Sequence, residues 1–450
     1  MNYLSLTVNR LFTLCCALLL IISGVQAQKN TYSAYSKYEA GLIKSKAYGG
    51  NAGMGGIGYA WRPLNYRPLI NDSLSRSSIN LNDRRSNYIN PKNPSSYSNL
   101  SLTVFEVAAF SSSTLAVSEG QSQLYNSAQL SHVALAFPIG KKWGAGFGLR
   151  PFSIRGYDYS QVAEINNELV EYSYEGSGGL NQLYATAAKE FGESFSLGVS
   201  ASYIFGRLLD QKRVVYNKDY SANFFNSLDQ SSKNVGDLYL ETGLQYYTDL
   251  NEKYRMVVGL FAAPQANLKA ESNQIVGSYE GEPGLEEFKD TVLNITSKNT
   301  RVELAPIYGG GFGIEKTGKW LIKLDYSLRS WRSYQTSIEG VSFVNNHQIA
   351  LGYESFSDLS SFGSYFKQMG YRFGAQYNSS LIQIEGKSIP EFGISFGVAL
   401  PLRRSLTTLN LAFEAGRRGL NQSNLIEENF FNIHFGAVIN DKWFTKRKYD

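Results

Sequence analysis

From about residue 100 onward, apolar and polar positions alternate with period two, segment after segment. Phe195, Leu197, Val199, Ala201 and Tyr203 share one phase, while Ser196, Gly198, Ser200 and Ser202 share the other. The same pattern runs through Leu238–Tyr246, Trp320–Leu328, Phe392–Leu400, Leu409–Ala415 and Phe431–Ile439. Successive residues of a strand fall on opposite faces, so each run predicts a strand with one apolar and one polar or small face. Fourteen strands are predicted, near 100–110, 128–138, 143–154, 180–191, 195–207, 235–247, 254–267, 301–315, 320–330, 343–354, 370–379, 389–401, 406–416 and 430–440.

A soluble two-sheet sandwich would also alternate. Three features favour a membrane-spanning barrel. The runs are long for a sandwich and suited to tilted spanning strands. Short turns, such as Gly192–Ser194 and Lys316–Lys319, alternate with long polar links, such as Leu208–Asn234 and Lys269–Thr300. Aromatic residues (Trp143, Phe191, Tyr246, Tyr247, Tyr254, Trp320, Trp443) cluster beside the short turns, where one interfacial girdle belongs. The expected fold is therefore all-β: a transmembrane antiparallel barrel of fourteen strands over residues 100–450.

Composition agrees. Aromatic residues make up 14% and charged residues only 18% of the 450 positions, as suits strands that touch both lipid and water. A net charge of +5 is too small to suggest a nucleic-acid partner. The first residues predict a compartment. Arg10, the apolar run Leu11–Ile22 and the small-residue site at Val25-Gln26-Ala27 read as an export signal over 1–27. A lipoprotein signal is disfavoured because Cys15 and Cys16 lie inside the apolar run. Removal of that segment takes both cysteines, leaving no disulfide, thiolate metal site or Cys nucleophile. The expected location is the outer membrane of a Gram-negative cell.

Residues 28–99 do not alternate. Tyr48–Ala60 is Gly-rich, and 71–98 is rich in Asn, Ser and Arg. Met54, Ile57, Tyr59, Trp61, Tyr66 and Tyr88 are costly to leave in water, so this segment is expected to fold into the barrel mouth as a plug, with a disordered leader as the alternative. Small residues on the predicted inner phase (Ser196, Gly198, Ser200, Gly243, Gly309, Gly311, Gly393, Gly397, Gly436) would leave room for it. Relief of crowding at strand bends is the alternative. Charges assigned to the lumen are Asp237, Glu241, Arg301, Glu303, Lys323, Asp325, Arg329, Arg372 and Glu414. The plug adds Arg62, Arg67, Arg76, Arg84 and Arg85, so ion pairs could latch it, with a water-filled lumen as the alternative.

Two short motifs carry a family resemblance. Gly53-Met54-Gly55-Gly56-Ile57-Gly58-Tyr59-Ala60 resembles the Gly-rich hatch segment of FadL-type outer-membrane transporters. Asn93-Pro94-Ser95 resembles that family's Asn-Pro-Ala turn before the first strand, with Ser95 in place of Ala. The closing Asp441-Lys442-Trp443-Phe444 is similar to the ends of Bacteroidetes outer-membrane proteins. The resemblance implies a monomeric barrel surrounded by lipid, with hatch residues Gly53, Gly55, Gly56, Gly58, Asn93 and Pro94. It further implies passive uptake of hydrophobic small molecules, such as long-chain fatty acids. Solute would leave after a hatch change or sideways through the wall. A wall opening is expected at the third strand, near Gly146, Gly148 and Pro151; a strand simply ending at Pro151 is the alternative. A barrel that docks secretion or assembly machinery without transport is the other functional class.

Catalysis is not expected. His132, His347 and His434 include no pair at metal-ligand spacing, so neither metal nor other cofactor is expected. Ser131 adjoins His132, but neighbouring strand residues face opposite sides. His434 is expected to meet Glu414 as a lumen polar group. The basic run Lys446-Arg447-Lys448 is suited to lipid headgroups or to solvent.

Overall fold

The computed structural model describes residues 33–62 and 88–441, apart from 39, 119, 141, 166–167, 217–224, 283–284, 317, 332–333, 335–339, 356–364, 403–404 and 423–424. The expected export signal, Arg67, Arg76, Arg84, Arg85, Trp443, Phe444 and the basic run at 446–448 lie outside the described residues.

Fourteen antiparallel strands close into a barrel. They are β1 (Thr103–Ser118), β2 (Gln121–Pro138), β3 (Trp143–Ile154, resuming at Tyr157–Ile165), β4 (Glu168–Phe191), β5 (Phe195–Tyr216) and β6 (Asn226–Asn251). The circuit continues with β7 (Tyr254–Ala263 and Ala266–Glu280), β8 (Glu287–Leu304 and Ile307–Lys316), β9 (Trp320–Arg329) and β10 (Asn346–Ser355). It ends with β11 (Gly370–Asn378), β12 (Glu391–Pro401), β13 (Thr408–Arg418) and β14 (Glu427–Asp441). Each strand pairs with its sequence neighbours, and β1 pairs with β14 from Thr103↔Asp441 to Val117↔Glu427, which closes the circuit.

The alternation sorts side chains as expected. Outward residues such as Phe147, Leu183, Leu197, Leu240, Leu260, Phe312, Leu324, Leu351, Phe373, Ile394 and Phe435 are exposed and form one apolar band around the barrel. An exposed patch of that extent suits lipid. Strands β3 to β8 run far past the band and raise a tall wall on one side, whereas β9 to β13 stop near it.

Two expectations need correction. Arg301 and Glu303 do not point into the lumen. Val302 and Leu304 are the buried positions there, whereas Gly309, Gly311 and Gly313 face inward below. The ladders break together at Ala305–Pro306 and at the facing Pro264–Gln265, where Pro cannot donate, and the phase reverses across the break with the pairing register kept. Tyr247 is not part of the outer girdle; it is buried inside, beneath the Arg62 guanidinium 4.0 Å away.

Candidate functional site: the filled lumen

Both described parts of the N-terminal region lie inside the barrel, and their turns follow from local chemistry. Ser33 caps a short 3-10 turn, Ala34–Lys37, by accepting from the Tyr35 amide. Leu42–Ile43 runs extended and pairs with Ile154 and Ser153 of β3. The Asn51 side chain accepts from the Tyr48 amide at 2.6 Å and donates to the Ile57 carbonyl at 2.8 Å, knitting up the Gly-rich loop. Gly55 and Gly56 take consecutive left-handed φ values of 64° and 69°, a conformation open to glycine at little cost. At the second motif, Asn93 Oδ1 accepts from the Ser95 amide (3.1 Å) and Ser95 Oγ (2.8 Å), and Pro94 opens the 3-10 turn Pro94–Asn99. Ser95 thus adds a bond that an alanine could not make. Replacing Asn93 with alanine removes the cap and is expected to cost about 1–2 kcal/mol, read as a lower melting temperature in detergent.

Glycines of the barrel meet this segment around most of the circumference. A Cβ on Gly144 would strike the Tyr97 carbonyl, on Gly198 the Pro94–Ser95 backbone, and on Gly243 the Asn93 side chain. One on Gly259 would strike the Tyr59 carbonyl, and one on Gly374 the backbone of Met54–Gly55. On Gly352 it would lie 2.7 Å from Ile57 Cδ1, and one on Gly53 would lie 2.7 Å from Gly397 Cα. At Gly144, Gly198, Gly259, Gly374 and Gly53 backbone meets backbone, which only a missing side chain permits. Ser200 and Gly393 serve other neighbours: Ser200 bonds to Thr186, and Gly393 adjoins Gln376 and Glu414.

Charged groups latch the same layer. Asp325 Oδ2 accepts from the Gly58 amide at 2.6 Å and the Tyr59 amide at 3.0 Å, and it lies 3.2 Å from the Lys92 ammonium. Lys92 also donates to the Gly56 carbonyl at 2.8 Å. Buried Arg62 donates to Ser98, Ser196 and Glu190. Arg372 joins Glu354 at 2.8 Å and Asn410 at 2.7 Å. Lys46 pairs with Glu241, and Lys323 is buried near Glu315, Glu354 and Asp325. Glu106 accepts from the Gly49 amide and lies 3.4 Å from His132, which stacks on Tyr48 with ring centroids 3.4 Å apart.

Of the charges expected in the lumen, Glu241 and Asp325 hold the inserted segment directly. Arg372 and Lys323 support it from the wall, Arg329 lines the space above it, and Glu414 lies 3.7 Å from His434 as expected. Asp237 does otherwise: its carboxylate accepts from the Leu238 and Lys269 amides at an exposed place where the β6–β7 ladder is interrupted. Ser131 Oγ reaches His132 Nδ1 at 3.1 Å because a bulge at Ala108/Ala109 disturbs the local alternation. The sequence reading missed Lys46, Lys92, Asn90, Glu106 and Glu354. Lys92 alone carried a signal, sitting next to the Asn-Pro-Ser turn.

Two cavities lie between the inserted segment and the barrel wall. One of about 80 Å³ is walled by Tyr59, Phe152, Tyr239, Phe261, Ile307 and Trp331, with Lys46, Glu241 and Arg329 beside them. The other, of about 200 Å³, has Phe110, Leu130 and Phe430 among many charged and carboxamide groups, including Arg150, Gln348, Glu414 and Arg418. At β3, Gly146 and Gly148 pair with β2, but that ladder stops at Val133↔Leu149. Pro151 does not end the strand, which continues along β4 with a register shift between Pro151 and Ser153. A wall cavity of about 500 Å³ opens there. Among the described residues, no group of three or more His, Cys, Asp or Glu side chains could hold a metal ion.

The fold is similar to those of several solved structures. A Pseudomonas aeruginosa FadL homologue superposes with a TM-score of 0.58 at 10% identity, over 89% of this chain and 100% of that one. The Pseudomonas putida toluene transporter TodX gives 0.57 at 12%, over 90% and 100%. The Ralstonia pickettii toluene transporter TbuX gives 0.52 at 11%, over 88% and 99%. At such identities the likeness is one of fold. No curated protein sequence matches the chain. The sequence match is of another name: a family model described as BamG covers residues 71–450. By that match the chain belongs to the BamG family, with a FadL-like barrel as its fold.

Proposed function

We propose that the chain is an outer-membrane barrel for passive uptake of hydrophobic small molecules, with Ser33–Arg62 and Tyr88–Asn99 as its plug. The observation that carries this reading is the chamber between the plug and the barrel wall. Phe152, Tyr239, Phe261, Ile307 and Trp331 give it an apolar wall, and Lys44, Lys46, Lys92, Arg150, Glu241 and Arg329 bring charged groups to its margin. Mostly apolar concave sites with a few placed polar groups are the usual form of small-molecule sites. The toluene transporters TodX and TbuX share the fold. The chamber is compact, so a small aromatic fits this reading better than a long acyl chain, which would need the plug to move. Deleting the protein is expected to slow entry of radiolabelled toluene, and Ile307→Trp to do the same with an unchanged amount of folded barrel. Unchanged entry in the deletion strain would remove this reading.

A second reading, an accessory barrel that docks secretion or assembly machinery, is favoured by the densely latched plug and by the larger cavity's charged lining. The BamG match, distinct in name from the transporters, is compatible with it. Its mark is stable co-purification with one such complex while toluene entry is the same with and without the protein.

A further inference from the structure

The seam between β2 and β3 carries an inference beyond solute uptake. From Gln121 to His132, the edge of β2 away from β1 has no backbone partner among the described residues. Across the gap, β3 above Leu149 is met on that side by the extended pair Leu42–Ile43 and a few bonds from Ser33, Ser36 and Lys44. The seam opens beside the outward Leu130, Leu149 and Leu183, within the apolar band. An open strand edge facing hydrocarbon is costly, and spanning barrels close to avoid one.

The gap is polar. Ser127 and Gln129 of β2, Ser153 of β3, Asn181 of β4 and Arg207 of β5 line it. Its floor includes Gly178, Gly179 and Gly206, with φ of 103°, 156° and 152°. A side chain at Gly179 would come within 2.5 Å of the Ser153 carbonyl, and one at Gly178 or Gly206 would strike a carbonyl of the neighbouring strand. Bare backbone of this kind admits close approach by another backbone. A peptide would find donors and acceptors there beside the free edge of β2. Arg207 is exposed at the rim and makes no ion pair with another described residue.

The geometry points to this gap as a docking seam for one extended strand of a second outer-membrane protein. That strand would add to the free edge of β2 by backbone hydrogen bonds and place an Asp or Glu against Arg207. Solute passage needs no such strand, so the inference stands apart from the uptake reading.

The test uses full-length protein in intact cells, with p-benzoylphenylalanine at Ala128, beside the seam, and at Leu351, in the far lipid-facing wall. The expected result is an adduct from Ala128, absent from Leu351, whose cross-linked peptide is an extended segment of one outer-membrane protein with an acidic residue. Arg207→Glu is expected to lower the adduct about tenfold, and changing that acidic residue to Arg to restore it. Heat-modified gel mobility establishes that each variant is a folded barrel. Adducts with lipid alone, with a second copy of this chain, equally from Leu351, or unaffected by Arg207→Glu would each overturn the seam. Toluene entry, measured separately in the same strains, reports on the uptake reading alone.

Discussion

Replacing Asp325 with alanine is expected to unlatch the inserted segment. The carboxylate is 2% exposed and holds three groups at once: the Gly58 and Tyr59 amides and the Lys92 ammonium. Its removal leaves a buried cation short of its counter-charge and two amides without acceptors. Breaking a buried pair from one side costs about 3–5 kcal/mol. The β-ladders of the barrel contribute their own stability, so the loss falls on the inserted segment. Protease should then cut within residues 33–62 under conditions that leave the wild type whole, while the barrel keeps its heat-modified mobility. Lys92→Met combined with Asp325→Leu is expected to recover much of the loss, because removing both charges also removes the desolvation burden. Equal protease resistance in wild type and Asp325→Ala would show that the latch carries little of the segment's stability.

Gly374→Val is expected to have a comparable effect by steric means. A Cβ at position 374 would collide with the backbone at Met54–Gly55, which cannot rotate away as a side-chain tip would. Overpacking costs about 1–3 kcal/mol, and backbone collisions lie at the upper end. Gly120→Val is the matched control, because nothing lies within 4 Å of its Cβ, although its φ of 82° adds strain of its own. In planar bilayers, Gly374→Val should conduct ions where wild type and Gly120→Val do not. Silence of Gly374→Val in an assay that registers an engineered deletion of residues 33–62 would count against a plug that seals the lumen.

The two results together separate a segment that merely rests in the barrel from one that closes it. The glycines define where backbone meets backbone, and the ion pairs define what must be broken to part them. Either route to release should also expose the chamber walled by Tyr239 and Phe261 to solvent from below.

The number of strands and their facing were legible in the sequence because lipid and lumen impose a strict period of two inside the apolar band. All fourteen strands lie where the alternation places them, and Leu197, Leu240 and Ile394 face outward as read. The outer ends were not legible. The stretches 168–179, 208–216 and 226–234 are paired strand, yet they stand beyond the band, where no lipid enforces an apolar outer face. The phase error at Arg301 and Glu303 has a related cause: the break at Ala305–Pro306, opposite Pro264–Gln265, reverses facing without altering local composition. Likewise the small inner residues announced that something fills the lumen, but not what each would touch.

What the sequence determined by itself was whatever a residue's own neighbours impose: the strand period, the turns at Asn93-Pro94 and Gly55-Gly56, and the absence of inner side chains at positions such as Gly198 and Gly243. Only the tertiary structure decided which charges meet. Asp325 finds Lys92, Glu241 finds Lys46, and Arg62 finds Glu190 across separations of 128 residues or more, and Tyr247 turns inward beneath Arg62. Barrel closure fixes those encounters by stacking each strand's register on the last, a sum that no local stretch of chain contains.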